Sequence, residues 1–308
     1  AVNAAINATA GMIPALMAGS ADLTENNGVA LDDGRAQEPA TPGGAQIHFG
    51  IREHAMGGVM NGLALHGGVL PVGGTFFVFS DYMRPSVRLA ALSEAHVIYS
   101  WTHDSVGLGE DGPTHQPVEQ LAAMRAMPGL RVIRPADANE TAHAWRVAVD
   151  EPGPTALILS RQNVPVLQGT ADAGAGVARG GYVLVEEQGA TPDVILIGTG
   201  SEVQLCVEAA PVLAEGSPAV RARVVSLPSW DLFAAQDDAY RVEVLPPDVP
   251  ALAVEAAASF GWDRYADDSI SIDHFGASAP GGEVLAHFGY TTENVVARAR
   301  ALLAKRET

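Results

Sequence analysis

Cysteine and lysine are almost missing from this sequence. Its 308 residues hold one cysteine, Cys206, and one lysine, Lys305. A single thiol excludes an internal disulfide framework and any multi-cysteine metal or iron–sulfur site. Cys206 lies in the apolar run VQLCVEAAPVL, where a buried small hydrophobe is the expected role. With lysine confined to the C-terminus, a cation anywhere else must be arginine or histidine. Positive charge is short overall: Lys plus Arg is 18 against 36 Asp plus Glu, a formal net charge of -18. A phosphate backbone or an anionic membrane surface selects a basic stripe, and none is visible, so no nucleic-acid partner and no membrane partner are expected. No run approaches the roughly 18 apolar residues of a membrane helix. The first residues lack the basic start of a secretory signal. These absences point to a cytoplasmic protein.

Apolar residues make up 47% of the chain, enough for a sizeable core. At roughly 150 residues per domain, the length suggests two domains. Short runs rich in β-branched residues read as strands: GGVLPVGG, AHVIYSW, LRVIRPA, TALILSR, DVILIGTG, VRARVVSLP, ALAVEAA and SISIDHFG. Ala-rich stretches with helical spacing lie between them, among them SVRLAALS, PVEQLAAMRAM, NETAHAWRVAVDE and SEVQLCVEAAPVLAEG. This alternation predicts an α/β fold in which each domain is a mostly parallel sheet covered by helices. The Gly/Ala-rich stretch QGTADAGAGVARGG has no periodicity and reads as a linker. The expected division is residues 1–168, a linker at 169–181, and residues 182–308. The chain begins without Met, directly in a helical pattern (AVNAAINATAGMIPALMAG), so further residues are expected upstream.

Four segments carry chemistry. In IHFGIREHAMGGVMNGLALHGG a strand ends at Phe49–Gly50 and a helix starts near Glu53. Met56, Val59, Met60 and Leu63 are expected on one buried face. Gly57, Gly58 and Gly62 each cost roughly 1 kcal/mol of helix propensity relative to Ala, a cost tolerated where another backbone comes close. Glu53 reads either as a carboxylate complementing the helix dipole or as a functional buried acid. In GTFFVFSDY, Phe76, Phe79 and Tyr82 recur at spacing three, as core or as a flat slot for an aromatic ring. In THDSVGLGEDGPTHQPVEQL, a Gly-rich loop packs His103, Asp104, Glu110, Asp111 and His115, and ligands bind at such loops beyond strand C-termini. The spacing matches no metal-ligand motif. In LSRQN, Arg161 directly follows a buried strand; it reads either as a surface cation or as a planar fork suited to an oxyanion. DVILIGTGSEV imitates a dinucleotide fingerprint, but Val203 stands at the third glycine position and the pattern fails.

These segments together resemble the transketolase family across essentially the whole chain. GSADLTENN, FGIREHAMG, GTFFVFSDY, GLGEDGPTHQPVEQL, RPADANE, LSRQN, IGTGSEVQL and FGASAPGGEVLAHFGYT follow that family's order. The resemblance implies a pyrimidine-binding domain followed by the family's C-terminal domain. It also implies thiamine diphosphate as cofactor, and transfer of a two-carbon ketol unit between sugar phosphates in the pentose phosphate pathway. Carried over, Glu53 matches the glutamate that bonds the aminopyrimidine ring. Burial favours the protonated form of a carboxyl group, which can then share a proton with the ring nitrogen. Phe76, Phe79 and Tyr82 match the ring-binding pocket, and Asp22 an aspartate near the cofactor. His103 and Arg161 match residues that hold the sugar's phosphate. Asp111 matches a reader of a substrate hydroxyl, and His115 a group close to the transferred unit. Asn26 stands where the family commonly has a phosphate-contacting serine; an amide can still donate.

The family's diphosphate and metal signature, GDG followed by a later Asn, does not occur here. The resemblance therefore implies that magnesium or calcium is held by a separate N-terminal domain and not by this chain. It further implies a fragment, a proteolysed remnant or one subunit of a split enzyme, inactive alone, in a homodimer whose interface includes the glycine-rich face after Glu53. Two alternatives stand beside it: a non-catalytic dimerisation module of the same fold, and a related ketol transferase with another acceptor such as formaldehyde.

Overall fold

The computed structural model describes residues 1–306 apart from positions 33, 188 and 190. The first sheet consists of β1 (Leu16–Ser20), β2 (Gln46–His48), β3 (Leu70–Phe76), β4 (Ile98–Thr102), β5 (Arg131–Ile133) and β6 (Thr155–Leu159). Their order is β2-β1-β3-β4-β6-β5, and every pairing is parallel. Helices α1 (Val2–Ala10), α2 (Glu53–His66), α3 (Ser80–Leu92), α4 (Gln120–Arg125) and α5 (Ala138–Asp150) cover it. The second sheet consists of β7 (Tyr182–Val185), β8 (Val194–Gly198), β9 (Ala222–Ser226), β10 (Ala251–Val254) and β11 (Asp268–Ile270), in the order β11-β10-β8-β9-β7. Its pairings are parallel except that β7 runs antiparallel to β9.

Strands buried on both faces explain the near-continuous apolar runs. Successive residues of a strand point to opposite faces, so each sheet builds two cores. Tyr99 and Trp101 join Met56, Met60 and Met83 beneath α2 and α3. Ile98 and Leu157 join Ile6 and Trp145 beneath α1 and α5. In the second sheet Leu196 and Val224 pack with Cys206, under α7 (Val203–Ala214), and Val295, under α9 (Thr292–Arg306). Ile197 and Val225 pack on Phe233 and Trp262. Each fully buried Leu or Val contributes on the order of 1.5–3 kcal/mol. Cys206 is buried, and burial pushes its thiol up.

The structure departs from the sequence expectations in several places. The opening stretch is not one helix: α1 stops at Ala10 and LMAGS forms β1 between β2 and β3. Its lack of β-branched residues hid it. Helix α4 begins at Gln120, not at Pro117, and the residues just before it are tied by other hydrogen bonds. The Val118 carbonyl accepts from Ala258 N at 3.0 Å, and the Gln120 Oε1 takes the Val118 N–H at 3.0 Å. In α2 the buried stripe is Met56, Gly57, Met60 and Asn61, whereas Val59 is 45% exposed. Of the three helix glycines only Gly57 meets a close neighbour; a Cβ there would fall on Ser86 Oγ, while Gly58 and Gly62 face open space. The stretch SISIDHFG contributes only its first two residues to β11. Inside residues 169–181 lies a short helix, α6 (Gly174–Ala178), with Val177 buried and the Thr170 hydroxyl donating to Asp137 Oδ2 at 2.7 Å.

Candidate active site

The strand order of the first sheet lines up chemistry along its carboxyl edge. Strand β2 leads to Glu53, β1 to Asp22 and Asn26, β3 to Phe76, β4 to His103 and β6 to Arg161. Neighbouring strands lie about 4.8 Å apart, so the four spacings from β2 to β6 cover about 19 Å. Such edges are where parallel α/β sheets bind ligands.

An unbroken series of rings runs through the middle. Phe76 ends β3, Phe79 closes the following helical turn, and Tyr82 lies in the first turn of α3. Phe79 stacks on Phe76 at 5.9 Å and on Tyr82 at 5.7 Å between centroids. Phe76 in turn stacks on the His103 imidazole at 3.8 Å, and His115 meets Phe79 edge-on at 5.4 Å. Phe76 is buried, whereas Tyr82 is 66% exposed, so the ladder begins in the core and ends at the surface. Glu53 opens α2, 7% exposed, with no hydrogen-bond or ion-pair partner among the described residues. It stands at the positive end of the helix dipole.

His103 sits at φ +65, a left-handed conformation uncommon for a residue with a side chain. Its Nδ1 lies 2.9 Å from the Thr102 hydroxyl. Burial and the nearby Arg161 cation push its imidazole down to about 4, against the opposing pull of Asp104 and Asp111. The ring is therefore neutral at neutral pH. Asp111 and His115 belong to the loop after β4; Asp111 is exposed and His115 half-buried, its Nδ1 2.9 Å from Thr114 Oγ1. Arg161 is exposed beyond β6 and lines a cavity of about 430 Å³ with Asn26, Thr102, Asp137 and Gln162. Asp22 is exposed at φ +66 and lines a smaller cavity of about 220 Å³ with Asn26, Ser20 and His48. The structure thus joins Phe76, Phe79, Tyr82, His103 and His115 by ring contact, and Arg161 and Asp111 to His103 by field. Glu53 and Asp22 share the edge without touching that group.

The second domain grips the His103 loop. Gln116 Nε2 donates to the carbonyls of Gly109 and Ala277, each at 2.9 Å. Ser278 Oγ donates to the Glu110 carbonyl at 2.5 Å. Deeper, the fully buried Arg134 bonds Asp104, Thr199 and Glu202, and Arg125 forks onto Glu255 with two contacts of 2.8 Å. Burial pushes the Glu202 carboxyl up despite Arg134. Burial also works against the Glu255 charge, but Arg125, Arg134 and the Thr199 hydroxyl overcome it and hold that carboxyl below its usual range.

Sequence reading missed Asn27, Thr102, Gln116 and Arg134. GTGSEV, rejected as a dinucleotide turn, is the strand-to-helix turn that receives Arg134: the Gly200 N–H donates to the Arg134 carbonyl at 3.1 Å, and a Cβ at Gly200 would stand 2.5 Å from Arg134 Cζ. Among the described residues no group of three or more His, Cys, Asp or Glu side chains could hold a metal ion. None of their helices is long and apolar enough to cross a membrane.

Two family descriptions match the chain: "Transketolase, pyrimidine binding domain" over residues 1–166 and "Transketolase-like TK C-terminal domain" over residues 180–291. The transketolase of Geobacillus stearothermophilus is 53% identical over 306 residues, 97% of this chain and 46% of that protein. That of Bacillus subtilis is 50% identical over 97% of this chain and 46% of its own length. The chain thus spans about half the length of the curated relatives it matches. Among solved structures, the transketolase from Leishmania mexicana superposes with a TM-score of 0.95 at 46% identity, covering 99% of this chain and 45% of that one. The chain of a split gene transketolase described as an inactive beta4 tetramer shares the fold at a TM-score of 0.80 and 24% identity, covering 98% of this chain and 97% of that one.

Proposed function

Because the chain belongs to the transketolase family, we propose that it is the pyrimidine-binding and C-terminal half of a thiamine-diphosphate-dependent ketol transferase. In this reading it moves a two-carbon unit from xylulose 5-phosphate to ribose 5-phosphate or erythrose 4-phosphate. It acts together with a diphosphate-binding domain or subunit, which holds the diphosphate and its magnesium or calcium ion, in a homodimeric arrangement in the cytoplasm.

One observation carries the reading: Glu53, 7% exposed and without a hydrogen-bond partner among the described residues, shares a sheet edge with a ladder of rings whose outer member, Tyr82, is largely exposed. A flat heteroaromatic ring with a basic nitrogen suits both features, by stacking and by hydrogen bonding. When bound, thiamine diphosphate supplies the electron sink for breaking the carbon–carbon bond beside a ketose carbonyl. The chain's own residues do the rest. Glu53 holds a proton against the ring nitrogen. Phe76, Phe79 and Tyr82 present ring faces and keep water away. Asp22 flanks the cofactor side of the cleft. His115 stands nearest the transferred unit, and Asp111 accepts a hydrogen bond from a substrate hydroxyl. Arg161 offers a fork to the phosphate, with His103 and Asn26 as neutral donors beside it.

The test is reconstitution. The purified chain is mixed with a family diphosphate-binding domain, thiamine diphosphate and magnesium, and sedoheptulose 7-phosphate formation from xylulose 5-phosphate and ribose 5-phosphate is followed. Transfer that requires both proteins supports the proposal. A stable, cofactor-loaded assembly without transfer overturns it in favour of a non-catalytic module.

A further inference from the structure

We infer that His103 meets its ligand as a neutral imidazole carrying its proton on Nε2, and that Asn27 and Thr102 act as positioning residues that put the proton there. The inference rests on the proposed function only in calling that ligand a substrate group.

Hydrogen-bond donors and acceptors alternate along a buried chain of side chains. Ser20, Asn27, Thr102 and His103 are all buried. The chain starts at a group that can only donate: the Leu23 backbone N–H points at Ser20 Oγ at 3.1 Å. Ser20 has one proton to give and two acceptors at 2.8 Å, Asn27 Oδ1 and the Gly74 carbonyl. The Gly74 carbonyl is already served by the Ala21 N–H at 3.1 Å, whereas among the described residues Asn27 Oδ1 has Ser20 alone. Giving the proton to Asn27 fixes its amide, with Oδ1 towards Ser20 and Nδ2 towards Thr102 Oγ1 at 2.8 Å. Thr102 Oγ1 is thereby an acceptor from Asn27, and its own single proton goes outward. Its shorter contact is His103 Nδ1 at 2.9 Å, against 3.2 Å to the Asn26 carbonyl. A hydroxyl donating to Nδ1 requires that nitrogen to be bare, so a neutral ring keeps its proton on Nε2.

Two further features hold this arrangement. Asn27 is wedged against β3, where a Cβ at Gly74 would stand 2.7 Å from Asn27 Cβ, so the glycine opens the slot. The Asn27 backbone carbonyl is tied to Ser100 Oγ at 2.7 Å. The groups that face the imidazole electrically are Arg161, Asp104, Asp111 and His115. Arg161 discourages a second proton, which is why the position of the one proton decides what the ring can do. With Nε2–H the ring is a donor suited to a phosphate or carbonyl oxygen; with Nδ1–H its free nitrogen could only accept.

The experiment needs the chain alone. Long-range 1H–15N spectra of 15N-histidine-labelled protein at neutral pH separate protonated from bare ring nitrogens, with His103 assigned by loss of its signals in His103→Gln. The expected result is a bare Nδ1 and a protonated Nε2. Asn27→Asp replaces the amide donor by a carboxylate that draws the Thr102 proton, so the tautomer should invert. Thr102→Val should lower the ratio of Nε2–H to Nδ1–H at least tenfold, and Thr102→Ser should restore it. A protonated Nδ1 in the unmodified chain, or tautomers unmoved in Asn27→Asp and Thr102→Val, overturns the inference. The unmodified chain and Thr102→Ser decide the matter even if the other variants fail to fold. A stable, cofactor-loaded assembly without ketol transfer would refute the proposed function and leave these spectra unaffected.

Discussion

Arg134 reaches Asp104 twice, with Nε at 3.0 Å and Nη2 at 2.8 Å from Oδ2, and so anchors the residue that follows His103. Its remaining Nη1 bonds the carbonyl and hydroxyl of Thr199, both at 2.9 Å, and Glu202 Oε2 at 2.5 Å. One side chain thus ties the carboxyl end of β4 to the turn after β8. Removing a single partner from a buried ion cluster leaves uncompensated charge, which typically costs about 3–5 kcal/mol. Arg134→Met should lose that much stability in urea unfolding followed by tryptophan fluorescence. A loss under about 1 kcal/mol would contradict the clamp.

His103 should titrate near 4 in a histidine NMR titration of the folded chain. Its folded value lies below the ordinary one of about 6.5. The unfolded chain therefore takes up this proton first, and stability that is full above about 6.5 declines as pH falls towards 4. Arg161 is one cause of the depression, so Arg161→Gln should raise the midpoint. A midpoint near 6.5 in the unmodified protein would show the ring to be solvated and free of Arg161.

Gly281 lies where α8 (Gly281–His287) meets the His103 loop, and a Cβ there would fall on the Gly107 carbonyl. Backbone cannot yield as a flexible side chain does, so Gly281→Ala should cost about 1–3 kcal/mol. Hydrogen exchange should quicken most at residues 106–112. Uniform acceleration across the chain would mean that this contact does not hold the loop.

Phe79 is the middle ring of the ladder, stacked on both neighbours. An aromatic pair is worth about 0.5–1.5 kcal/mol beyond buried area. In the reconstituted assembly Phe79→Ala should weaken thiamine diphosphate binding about tenfold, by titration calorimetry. Unchanged affinity would remove the ladder from the cofactor's binding site.

The fold was legible in sequence wherever strands are buried on both faces. TALIL and VILIG announce β6 and β8 by unbroken apolar, β-branched runs. LMAGS does not, and YVLV forms an edge strand whose residues are all half-buried, so β1 and β7 went unseen. Val59 fits a helical stripe by spacing, yet packing chose Met56 and Met60, because those positions lie over β3, where a Cβ at Gly73 would collide with Met60 Sδ. The candidate site residues come from a family pattern, GIREHAM and GLGEDGPTHQP. The positioning residues were not: Asn27, Thr102, Gln116 and Arg134 act across long sequence separations, as in the 65 residues between Arg134 and Thr199, and nothing local marks them.

In the proposed reaction Glu53 is the side chain that lends a proton to the cofactor's ring. The most direct measurement compares ketol transfer by the unmodified chain and by Glu53→Ala, each assembled with the same diphosphate-binding partner, cofactor and magnesium. General acid–base catalysis typically contributes about 10²- to 10⁴-fold, so the account predicts a fall of at least a hundredfold in turnover at saturating cofactor. Turnover equal to that of the unmodified assembly would contradict it.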